Sequence, residues 1–148
     1  MNRCAALLAL SMVAWLALAC TSSPPKAPGF NATISNEGGS VTIEVTWTNW
    51  ENKGAGPSFE VVMDTHSVSL DDYNLGELAV LRVDGSREVL PTAWEAPPGG
   101  HHRSGRLDFP ARDAAGQEAI GAGTHTVELL VRDVAGVKER RFRWELPR

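Results

Sequence analysis

From Phe30 to the C-terminus, apolar and polar residues alternate with a period of two. Thr42, Glu44 and Thr46 separate Val41, Ile43, Val45 and Trp47; Glu60 and Val62 separate Phe59, Val61 and Met63. Val127, Leu129 and Val131 repeat the pattern, as do Phe142, Trp144 and Leu146. Successive side chains of a strand point to opposite faces. Each run therefore predicts a strand with one face on a core and the other toward water. Shorter runs predict strands over 30–35, 78–83, 88–93 and 104–109. Glycine, proline and aspartate fall between the runs. Asn52 to Pro57 ends one strand, Asp84-Gly85 is a hairpin signal, and Pro97-Pro98-Gly99-Gly100 opens an irregular loop. Eight short strands with turns at this spacing, and almost no helical period, predict an antiparallel β-sandwich over residues 30–148.

The closing strands carry a resemblance. Gly123-Thr124-His125-Thr126-Val127 begins a strand, Asp133-Val134-Ala135-Gly136 makes a hairpin, and a final strand follows. This order is similar to the end of bacterial immunoglobulin-like domains, which implies an immunoglobulin-like sandwich with His125 where many such domains have a corner tyrosine. With no cysteine pair to join the sheets, the chain is not an antibody-type domain.

Ahead of the alternating region the pattern changes. One basic residue, Arg3, precedes an apolar stretch that closes on Leu16-Ala17-Leu18-Ala19-Cys20. A charged start, a short apolar run and small residues before a cut are the parts of a helical secretory signal peptide. The stretch is shorter than the roughly twenty apolar residues that span a bilayer. Cysteine directly after the small residues resembles a bacterial lipoprotein signal, with Ala17 where that family prefers leucine. The resemblance implies removal of residues 1–19 and acylation of Cys20 (palmitate-type chains) in the cell envelope. Thr21 rather than aspartate after Cys20 implies the outer membrane where the cell has two. Residues 20–29, rich in proline and serine, are expected to form an extended tether.

Loss of residues 1–19 leaves thirteen basic residues against eighteen acidic ones, a formal charge of −5. That balance argues against nucleic-acid binding, which needs a basic stripe. Of the two cysteines, Cys4 leaves with the signal and Cys20 carries lipid, so the mature chain has no disulfide and rests on its apolar core.

Candidate chemistry centres on histidine. His66 lies in Asp64-Thr65-His66-Ser67, and His101 and His102 lie in a glycine-rich loop. Eight strands alternating in direction put both loops at one end of the sandwich and His125 at the other. Two readings remain open there. Three imidazoles with Asp64, Asp72 or water suit zinc or copper; alternatively the same side chains brace long loops through hydrogen bonds. The spacing matches no standard zinc signature. Asp71-Asp72-Tyr73-Asn74 offers oxygen ligands for calcium but lacks the Asp-x-Asp-x-Asp-Gly loop, and a solvated turn is preferred. Arg103 and Arg106 suit an anion, but pairing with the acidic 64–72 segment is preferred. Trp47 and Trp144 fall in phase with the core, whereas Trp50 and Trp94 fall at strand ends, where packing is favoured over sugar binding. No catalytic motif is present in the sequence. The expected function is a non-catalytic binding or adaptor domain, held to the membrane by its lipid and engaging a protein partner in the envelope. The alternative is envelope zinc or copper binding through His66, His101, His102 and Asp64.

Overall fold

The computed structural model describes residues 32–147. The alternation becomes nine strands: β1 (Ile34–Gly38), β2 (Val41–Trp47), β3 (Ser58–Thr65), β4 (Ala79–Val83), β5 (Arg87–Val89), β6 (Ala93–Glu95), β7 (His102–Asp108), β8 (Thr126–Val134) and β9 (Val137–Glu145). One short helix, α1 (Leu75–Leu78), precedes β4. The strands form two antiparallel sheets, β1-β2-β3-β7-β6 and β5-β4-β8-β9. With β1 set aside, four strands face four in the Greek-key order of an immunoglobulin-like sandwich.

Four expected strands move, the run expected over 104–109 becoming His102–Asp108, which places His102 in the strand rather than in the loop. The first begins at Ile34 rather than at 30, and Phe30 lies outside the described residues, as do Cys20 and the residues read as signal peptide and tether. The run expected over 78–83 begins at Ala79, because Leu78 closes α1. The run expected over 88–93 divides into β5 and β6, which belong to different sheets. Pro91 lies at the break, where it has no N–H to give a ladder, and Leu90 beside it is 71% exposed. β5 and β6 nevertheless run in the same direction, so they act as one strand that changes sheet. The end-to-end alternation is preserved.

Alternate residues of β2 and β3 are buried, Val41 to Trp47 and Phe59 to Thr65. They meet Val127, Leu129, Val131, Phe142 and Trp144 from the other sheet. One end of this core is aromatic. Trp47, Phe59 and Trp144 have ring centres 5.2–5.9 Å apart, and Phe109 stands edge-on to Phe59 at 5.8 Å. We call this end the tryptophan pole. His125 lies here, exposed; its main-chain N–H donates to Asp84 and its carbonyl accepts from Leu146 N–H. The main chain, not the imidazole, secures this corner.

The opposite end, the histidine pole, gathers the β1–β2 turn, the 66–78 connection, the 96–101 loop and the β8–β9 turn. The two turns touch: a Cβ added at Gly39, where φ is +55°, would lie 2.1 Å from the Ala135 carbonyl oxygen. Arg140 lies beneath them in the inward phase of β9, 1% exposed. Its guanidinium donates to Val134 O at 2.8 Å and to Gly38 O at 2.6 Å, joining the edge strands of both sheets. Burial lowers its pKa.

The outer faces of the sheets differ in charge. On the four-stranded sheet, Arg82, Glu88, Arg132, Glu139, Arg141, Glu128, Arg143 and Glu145 form an unbroken chain of ion pairs. Arg132 reaches across β4 to Glu88 on β5. Its stem therefore passes over Val80 and Leu130, which are buried on this outer side. The outer face of the five-stranded sheet carries hydroxyl groups and carboxylates, among them Thr42, Thr46, Glu44 and Glu60, with Arg106 held between Glu95 and Asp108.

Candidate functional site

The histidine pole is assembled by two residues that bridge its loops. Arg103 opens from the inner side of β7, where its side chain is 10% exposed. It donates to Leu70 O and Tyr73 O at 2.9 Å each and to Pro97 O at 3.3 Å. Its guanidinium lies 5.8 Å from the ring centre of Trp94, a cation–π distance. The close fit needs Gly105, where a Cβ would meet the Trp94 ring at 2.8 Å.

Asp71 works from the other side. Gly99 N–H donates to its carboxylate at 2.7 Å and Gly100 N–H at 3.2 Å. The Gly99 bond leads the effects on its carboxyl; despite partial desolvation, these bonds and Arg103 hold the pKa below the ordinary aspartate value. The stretch considered for calcium is thus a loop fastener. Leu70 and Leu75 anchor the same connection in the core, and Asn74 caps α1 by accepting from Gly76 N–H at 3.1 Å.

On this frame, Asp64 and His102 are register partners at the ends of β3 and β7. His102 Nδ1–H donates to Asp64 Oδ1 at 2.5 Å. The His66 ring stands edge-on to His102, with centres 6.3 Å apart. His66, His102 and Asp64 therefore come together as the strand alternation implied. His101 joins through its carbonyl, which accepts from Thr65 N–H at 3.0 Å. Asp72 takes no part. Among the described residues, no group of three or more His, Cys, Asp or Glu side chains is placed to hold one ion. An open depression of about 420 Å³ beside the pair is lined by Glu37, Ser40, Thr42, Asp64, His66 and Ser67.

The Asp64–His102 bond has the form of the orienting half of a catalytic triad. The aromatic candidates divide: Trp47 and Trp144 are core, Trp50 packs partly buried in the turn after β2, and Trp94 packs partly buried from the middle of β6 rather than from a strand end. Sequence reasoning missed Arg140, although the period of Phe142 and Trp144 extends back onto it. Arg103 meets Asp71 of the expected acidic segment at 3.9 Å but bonds mainly to carbonyls, and Arg106 pairs with Glu95 and Asp108 instead of that segment. The chain matches no known family model, no curated protein and no solved structure.

Proposed function

We propose that this chain is a lipid-anchored binding or adaptor domain of the bacterial envelope, presenting its histidine pole to a partner protein. The observation that carries the reading is polarity along the strand axis. Thr33 is hydrogen-bonded to Thr46 at 2.7 Å, so the chain enters the sandwich near the tryptophan pole. The braced loops occupy the other end, about 25–30 Å away by the length of a nine-residue strand. A domain attached through Cys20 would hold its buttressed loops away from the membrane. Acyl chains on Cys20 supply anchoring of about 0.8 kcal/mol per buried CH2. The mild acidity and the absence of a basic stripe favour a protein over nucleic acid as partner.

Expression of the full chain in a bacterium tests both halves. Cys20→Ser should release the protein from the membrane fraction or leave its precursor uncut; a processed, membrane-retained Cys20→Ser protein would overturn the anchor. Photo-crosslinking residues at Ser40 and His101 should trap a partner, whereas one at Gly85 should not. Adducts formed only from Gly85 would reverse the polarity.

A further inference from the structure

We propose that His66 and His102 form a two-imidazole site for a divalent transition-metal ion, with Asp64 positioning His102 rather than binding the ion. The structural work at this pole is done elsewhere. Arg103, Asp71 and Arg140 tie the loops together with charged hydrogen bonds. The imidazoles are not needed as braces: His66 is exposed, and the His102 side chain is 69% exposed. Yet His102 is held by a carboxylate at Nδ1. Metal-ligating histidines usually donate their second ring N–H to a carboxylate or carbonyl, which fixes the tautomer and leaves the other nitrogen to bind. His102 is in that state, with Nε2 as the donor.

The second imidazole is within range. With metal–nitrogen bonds of about 2.0–2.1 Å, two imidazoles on one ion have ring centres at most about 6.4 Å apart. The observed 6.3 Å is at that limit, and rotation of the exposed His66 side chain about χ1 shortens it. Asp64 is engaged by His102, and His101 is tied in through its carbonyl, so the ion takes two protein nitrogens and completes its shell with water. Imidazole with oxygen co-ligands suits copper(II) and zinc(II), and copper(II) binds such donors most strongly. The polar depression beside His66 gives the ligating waters room and hydroxyl partners.

Copper(II) is the probe. The full chain, with Cys4 and Cys20 both changed to serine so that thiols do not compete and with no polyhistidine tag, is titrated by calorimetry and followed by electron paramagnetic resonance. The expected result is one equivalent bound with a dissociation constant of about 10 µM or tighter, about −7 kcal/mol or better, and hyperfine structure from two nitrogens. His66→Ala or His102→Ala should weaken binding at least about tenfold. Asp64→Asn should weaken it about 10–100-fold, the usual effect of losing such a partner. His101→Ala and His125→Ala should change it less than about twofold. All these side chains lie at the surface, and unchanged tryptophan fluorescence confirms that each variant folds. No binding below about 100 µM, or unchanged affinity in the His66→Ala/His102→Ala double variant, overturns the proposal. Neither result bears on the lipid anchor, which the Cys20 experiment tests by itself.

Discussion

The two poles of the sandwich are closed by different physics. At the tryptophan pole, Trp47, Phe59, Trp144 and Phe109 fill the space between the sheets with interlocking rings. At the histidine pole, the loops are fastened by Arg103, Asp71 and Arg140, which bond mostly to main-chain groups. Ring packing depends on volume and burial, is nearly independent of salt and pH, and fails by leaving a cavity. Charged hydrogen bonds depend on geometry and protonation, and fail by stranding a polar group. The difference teaches why the chain can vary one end chemically without melting the other. Loops fastened by carbonyls keep their own side chains for other work.

The largest expected effect breaks the aromatic pole. Trp47→Ala or Trp144→Ala should cost about 3–5 kcal/mol, read from denaturant unfolding. That is a large share of the roughly 5–15 kcal/mol typical of a domain. A change under about 1 kcal/mol at either position would show that the rings do not carry this end. Next comes the buried fastener. Arg140→Ala strands the carbonyls of Gly38 and Val134 and should cost about 2–4 kcal/mol; a methionine there should recover part of the loss, because it refills the volume without bringing a charge to bury. If alanine and methionine destabilise equally, packing is not part of Arg140's contribution. The smallest effect sharpens the contrast through pH. The Asp71 carboxyl is held below the ordinary aspartate value, so its stabilisation is present above the unfolded pKa and is lost as pH falls through the folded one. In nuclear magnetic resonance spectra the Gly99 and Gly100 amides should shift together below about pH 4, while the indole signals of Trp47 and Trp144 stay fixed. Simultaneous movement of the indoles would mean that the poles are coupled.

Much of this was legible in the sequence because the signal was local. Strands β2 and β3 follow from strict alternation, and the Asp84-Gly85 turn follows from the need for positive φ, which both residues adopt, at 47° and 75°. The meeting of His66 with His102 was legible from counting strand directions. It survived an error in the count because the chain crosses between sheets at Pro91 without reversing. What escaped is non-local or satisfied by main chain. No pattern in the sequence joins Asp71 to the amides of Gly99 and Gly100, or Arg103 to the carbonyls of Leu70 and Tyr73. The set of side chains at the pole could be listed, but not divided, since the edge-on meeting of His66 with His102 and the carbonyl bond of His101 to Thr65 are set by loop backbone.

Strand β1 has a mechanical consequence. It runs from the tryptophan pole to the histidine pole and pairs with β2 over its whole length, from Ile34 with Val45 to Gly38 with Val41. A tug between the chain ahead of Ile34 and a load at the histidine pole acts along the strand axis. The ladder is then strained in shear, with its rungs sharing the force, instead of being peeled one rung at a time. The guanidinium of Arg140, bonded to Gly38 O at the far end, acts as a bolt on the last rung. The strand nearest the N-terminus is thus attached in the orientation that best resists being pulled.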